Sequence, residues 1–120
     1  MATYYRYEIR LKSELVGGLF RGIEFVLADI DENADIQKAI ADYESLNYTV
    51  GLMETMLVKP DLYDYEDVTF YYTELGRQSI QEHLGTVREI LEDWGYRLVE
   101  TTVDNPSNIV YCDEYQIAVA

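Results

Sequence analysis

Residues 73–95 read TELGRQSIQEHLGTVREILEDWG, and their pattern decides the fold. Ile80, Leu84, Val87, Leu91 and Trp94 recur at spacings of four, three, four and three. That is the apolar stripe of a surface helix, one face wide. Arg77, Gln78, Gln81, Glu82, Arg88, Glu89, Glu92 and Asp93 cover the rest. Thr73 stands where an N-cap belongs and Gly95 where a helix stops. A helix from Glu74 to Trp94 follows. Gly76 and Gly85 each cost about 1 kcal/mol relative to Ala inside a helix, so close packing is expected there.

Upstream of that helix, Val68–Tyr72 reads as a short strand, and Pro60–Asp67 as an acidic loop. Tyr48–Val58 is rich in β-formers and reads as a strand ended by Pro60. Before it, a helix is expected over Ala34–Leu46, with Asn33 as N-cap and Asp35 favourable in the first turn. Leu19–Ala28 reads as a strand, since Leu19, Ile23, Phe25 and Leu27 share a parity. Thr3–Lys12 alternates more cleanly: Tyr5, Tyr7, Ile9 and Leu11 against Arg6, Glu8, Arg10 and Lys12. Downstream of Gly95, Tyr96–Val103 and Ile109–Val119 read as two strands joined by a turn over 104–108. The sum is one α+β domain over residues 1–120. An antiparallel sheet of five or six strands packs against two helices.

Composition narrows the function. The 120 residues carry 9 Lys plus Arg against 23 Asp plus Glu, a formal charge of −14. Such a surface repels phosphate backbones and anionic membranes, so neither nucleic acid nor a bilayer is the expected partner. The charge is uneven. Residues 1–60 hold 6 cations and 10 acids, whereas residues 61–120 hold 3 and 13. No basic-then-apolar leader opens the chain and no run approaches a membrane span, so a cytoplasmic protein is expected. One Cys excludes an intrachain disulfide and a cysteine zinc cluster.

Residue patterns for chemistry are sparse. Asp29, Asp31, Asn33 and Asp35 place oxygens at alternate positions, as an EF-hand loop begins. The stretch departs from that loop where geometry matters. Ala34 replaces the turn glycine and Ile40 the bidentate Glu, so it reads as a strand-to-helix connection with an N-cap and favourable first-turn charges rather than as a cation site. His83 lies at the edge of the helix stripe and Cys112 on a strand, and each reads as a structural residue. No phosphate loop, nucleophile elbow or metal motif occurs. No cofactor, metal or catalytic residue is expected.

Twelve tyrosines stand out, several beside acids. Those at Tyr5, Tyr7 and Tyr111 suit a half-buried sheet; Tyr63 and Tyr65 suit a contact surface. Side chains two apart on an extended chain lie roughly 6.6 Å apart, near the spacing of successive phosphates on a nucleic-acid strand. Carboxylates so placed fit a basic groove built for DNA or RNA. The candidate partner-binding residues are Asp61, Tyr63, Asp64, Tyr65, Glu66, Asp67, Glu89, Glu92, Asp93, Asp113 and Glu114.

On the acidic loop 60–67, the helix acids Glu89, Glu92 and Asp93, and the pair Asp113 and Glu114, the chain resembles the small acidic nucleic-acid mimics of phages and mobile elements, anti-CRISPR proteins among them. The resemblance is one of class, and no motif spans the chain. It implies a non-catalytic inhibitor that occupies the basic nucleic-acid site of a nuclease or CRISPR effector. Two other readings stay open. One is an assembly subunit, homodimeric through its Tyr-rich sheet. The other is a small enzyme with Glu54 or Glu100 beside a cation in a pocket.

Overall fold

A computed structural model describes residues 2–33, 35–60 and 67–120. Its strands are β1 (Thr3–Leu11), β2 (Glu14–Gly18), β3 (Thr69–Tyr72), β4 (Tyr96–Asp104), β5 (Ile109–Cys112) and β6 (Gln116–Val119). Its helices are α1 (Leu19–Asp31), α2 (Gln37–Thr55) and α3 (Glu74–Asp93). Among the described residues the class is α+β with a six-stranded antiparallel sheet, and the helices number three rather than two.

β1 is the organising strand. Along one side it pairs with β4 through nine consecutive positions, from Thr3↔Asp104 to Leu11↔Tyr96. Along the other it meets β2 over its last residues and β3 at Tyr5↔Tyr72. β3 then pairs with β6, and β6 with β5. The period-two pattern of β1 holds: Tyr7 and Ile9 are buried, while Arg6, Glu8 and Arg10 lie on the opposite face. Helices α1 and α3 pack on the buried face, and α2 packs on α1 and α3. Ile9, Ile23, Ile30, Leu46, Met53, Ile80 and Leu91 are fully buried at the junction, each worth about 1.5–3 kcal/mol of apolar burial.

Several expectations are corrected. Residues 19–28 form a helix, not a strand. Its buried residues are Leu19, Ile23, Val26, Leu27 and Ile30, while Phe25 is 55% exposed. A spacing of four satisfies both the strand parity and the helix turn, so Leu19, Ile23 and Leu27 fit either period. Packing decides: Gly22 lies so close to Ile9 that a Cβ would come within 2.8 Å of its side chain.

Residues 48–55 continue α2 rather than forming a strand. Leu46, Val50 and Met53 keep the helical spacing against the core. Thr49 is accommodated because its hydroxyl donates to the Ser45 carbonyl at 2.8 Å. The helix begins at Gln37, not Ala34, and Asn33 does not cap it. Asn33 Nδ2 instead donates to the Asp29 carbonyl at 3.0 Å, closing α1.

The expected strand over 109–119 is a hairpin. Asp113 turns it by accepting the backbone N–H groups of Tyr115 at 2.7 Å and Gln116 at 2.9 Å.

The helix that opened the sequence reading stands where its pattern puts it. Thr73 Oγ1 accepts from the Gly76 N–H at 3.0 Å, and Gly95 ends the helix at φ +85°. A Cβ at Gly76 would fall 1.9 Å from the Tyr115 carbonyl oxygen, so the β5–β6 turn sits directly on the start of α3. Gly85 has nothing against it. Among the described residues no helix is long and apolar enough to cross a membrane.

Candidate functional site

Two elements end at the same corner. α1 brings Asp29 and Asp31 in its last turn and Glu32 at its C-cap. α3 brings Glu92 and Asp93 in its last turn, with Glu89 one turn earlier. Tyr96, just past α3, donates its phenol to Asp29 Oδ2 at 2.7 Å and so ties the two ends together. α2 lies beside both. Lys38 bridges Asp42 Oδ2 at 2.5 Å and Asp93 Oδ2 at 3.2 Å. The Trp94 indole also donates to Asp42 Oδ2, at 2.9 Å. Glu44 and Asp31 share a shallow pocket of about 170 Å³ with Ile30, Ala39, Ile40 and Tyr43. Asp35 stands exposed between α1 and α2.

The α1 and α3 dipoles oppose the acids in their own last turns, while Lys38 and the α2 N-terminus offset part of that cost. A helix C-terminus carries about half a negative charge, so acids there cost about 0.3–1 kcal/mol each. Neither α1 nor α3 has a basic residue in its last turn. Lys38 is held charged by Asp42 and Asp93. Asp42 is held below the usual carboxylate range: its partial burial acts upward but is outweighed by the bonds from Lys38 and Trp94. The corner can therefore present fixed negative charge to a cationic surface. Among the described residues no group of three or more His, Cys, Asp or Glu is placed to hold a metal ion.

The opposite end of α3 uses its acids differently. Glu74 lies in the first turn, where negative charge is favoured. It accepts from Gln78 Nε2 at 3.1 Å and sits 3.5 Å from Arg77. Arg77 stacks 4.8 Å over the Tyr5 ring and reaches Glu100 Oε2 at 3.2 Å. Tyr7 donates to the same Glu100 oxygen at 3.0 Å, and its ring meets Tyr72 at 5.9 Å. Burial first, then the bond to Glu100, pushes the Tyr7 phenol well up. Glu100 thus does lie beside a cation, but both groups are engaged in tying β1, β4 and α3 together. Glu54 is exposed on α2.

The sequence-predicted site residues separate. Asp61, Tyr63, Asp64, Tyr65 and Glu66 lie outside the described residues. Asp67 is exposed ahead of β3. Glu89, Glu92 and Asp93 belong to the acidic corner. Asp113 and Glu114 do not: they sit at the start of α3, roughly 28 Å away at 1.5 Å per residue. There the Glu114 carbonyl accepts from Thr73 Oγ1 at 2.6 Å. Asp113 accepts from Tyr111 Oη at 2.5 Å as well as from its two backbone donors, and these bonds outweigh burial to hold its carboxyl low.

Sequence reasoning missed Asp29, Asp31, Glu32, Asp35, Asp42 and Glu44 as part of this surface. The signal was the acid run 29–35, read there as a connection. Of the isolated pair, His83 sits 3.3 Å from Glu82 and Cys112 is exposed on β5; neither bonds the other.

No family model, curated protein or solved structure matches the chain.

Proposed function

We propose that the chain is a non-catalytic acidic binding protein that inhibits or regulates a nucleic-acid-binding protein by occupying its basic nucleic-acid site. The observation that carries this reading is the convergence of the α1 and α3 C-terminal turns, whose acids stand where the helix dipoles disfavour them. Asp29 and Asp93 are partnered within the fold by Tyr96 and Lys38, but Asp31, Glu32, Glu89 and Glu92 make no ion pair among the described residues, and a cationic cleft would supply one. On α3, Glu89 and Asp93 are one turn apart, with side chains about 5–6 Å from each other. Neighbouring phosphates on a strand have a similar spacing, so the corner suits a groove that holds DNA or RNA. A nuclease or CRISPR effector in the cytoplasm is the target class, as in the anti-CRISPR and mimic proteins this chain resembles.

Binding should be fast at low salt and weaken as salt screens the contact. The test is titration against nucleic-acid-binding proteins over a range of salt, with nucleic acid as competitor. Reversing Asp31, Glu32, Glu92 and Asp93 to Lys should abolish binding and leave the fold intact. Reversing Glu14 and Glu24, exposed elsewhere, should matter much less. Salt-insensitive binding, or equal losses from the two sets, would overturn the reading.

A further inference from the structure

Among the described residues, the outer side of β4 is a free sheet edge. β4 pairs with β1 alone among the described residues, nine positions long and without a bulge. It contains no proline, and Leu98-Val99-Glu100-Thr101-Thr102-Val103 is strongly strand-forming. Natural proteins interrupt such edges, because an unpaired regular strand is a template for another. The sheet face turned away from the helices adds a second feature. Arg10 lies directly opposite Arg97. Glu8, on the same face, is shared between Arg6 at 3.3 Å and Arg10 at 2.8 Å. Arg97 is exposed and makes no ion pair among the described residues. Among the described residues, three guanidinium groups thus face one carboxylate on this face, in a protein of net charge −14. Like charges directly opposite on neighbouring strands destabilise a sheet.

We propose that this edge accepts an extended acidic segment of another protein, added as a strand beyond β4 with a carboxylate opposite Arg97. Backbone pairing would supply affinity, and the Arg97–Arg10 pair would select the acid. A second copy of this chain is a poorer occupant. When β4 pairs antiparallel with itself, faces match only between residues of like parity. Arg97 then meets Val99, Thr101, Val103 or Asn105, never an acid. The register centred on Glu100 sets Glu against Glu. The β5 edge, Ile109–Cys112, carries no acid either. The net charge does not forbid the contact, since at physiological salt the screening length is about 8 Å and the adjacent guanidinium groups dominate.

The test titrates the full chain with two synthetic peptides by fluorescence anisotropy. One alternates Asp with Val and Thr; the other has Lys in place of Asp. The Asp peptide should bind, more weakly as salt rises, and should slow hydrogen exchange at β4 amides. The Lys peptide should not bind. Arg97→Glu, at an exposed position, should keep the circular dichroism of the parent and weaken binding about tenfold or more. Arg97→Gln should weaken it less. Absence of binding, equal binding of the Lys peptide, indifference to Arg97→Glu, or a dimer paired through β4 in light scattering and exchange would each overturn the proposal.

Discussion

The two ends of α3 carry the same residue types and do opposite things with them. At its start, Glu74 meets a favourable dipole, Thr73 caps the first turn, and Asp113 holds the neighbouring hairpin with both oxygens engaged. At its end, Glu92 and Asp93 meet an unfavourable dipole and a second helix end bearing Asp29 and Asp31. Negative charge at the first end belongs to the fold; at the second, Asp29 and Asp93 are held by Tyr96 and Lys38, while Asp31, Glu32, Glu89 and Glu92 make no ion pair among the described residues. Acid count therefore says little about function here, whereas position relative to helix ends and donors says a great deal. The same contrast accounts for the tyrosines. With 23 acids against 9 cations, phenols supply the missing donors: Tyr7 to Glu100, Tyr96 to Asp29, Tyr111 to Asp113.

The comparison is broken most severely at the start of α3. Gly76→Ala places a Cβ 1.9 Å from the Tyr115 carbonyl. Neither helix nor hairpin can yield without losing the Thr73 cap, so a loss of about 3 kcal/mol is expected, read from urea unfolding. Gly85→Ala, with open space, should instead gain a few tenths to about 1 kcal/mol. Next in size is Asp113→Ala. It strands two backbone N–H groups and the Tyr111 hydroxyl, a loss of about 2 kcal/mol. Asp67→Ala, exposed ahead of β3, should be near neutral by the same measurement.

What the sequence disclosed follows the same division. α3 was legible because its stripe keeps one period over five turns and has a stop signal at each end. α1 was not, because residues four apart satisfy both periods; only burial of Val26 and exposure of Phe25 separate them. The second half of α2 was hidden by its β-formers, whose preference packing of Val50 and Met53 overrides. The acidic corner was half legible. Glu89, Glu92 and Asp93 come from the acidic half of the chain, but their companions come from residues 29–44. The cations that mask those residues in a running sum, Arg6, Arg10, Lys12 and Arg21, belong to β1, the turn after it and the start of α1.

pH sharpens the contrast with a smaller effect. The Asp113 carboxyl is lower in the fold than its ordinary 3.8. Its contribution is complete above that value and drains as pH falls through the lowered one. Unfolding midpoints between pH 5 and pH 2 should therefore fall less steeply in Asp113→Asn than in the parent. The alkaline side has the opposite sign. Burial and Asp29 push the Tyr96 phenol up to about 12 from 10.0. That contribution is complete below pH 10 and is lost as pH rises toward 12. Tyr96→Phe should remove this part of the alkaline decline.

The smallest effect is the most discriminating, because its sign differs between the two ends. Asp31→Lys and Glu92→Lys replace acids at helix C-termini by cations. Each should stabilise the fold by about 0.5 kcal/mol at low salt and less at high salt. Glu74→Lys reverses a charge that suits its helix end and breaks the contacts to Gln78 and Arg77, so it should destabilise. Gains in unfolding midpoint for the first two variants, coupled to lost binding of a cationic partner, mark acids kept for contact at the expense of the fold. If Asp31→Lys and Glu92→Lys destabilise like Glu74→Lys, both ends serve the fold, and the acidic corner loses its claim to be a binding surface.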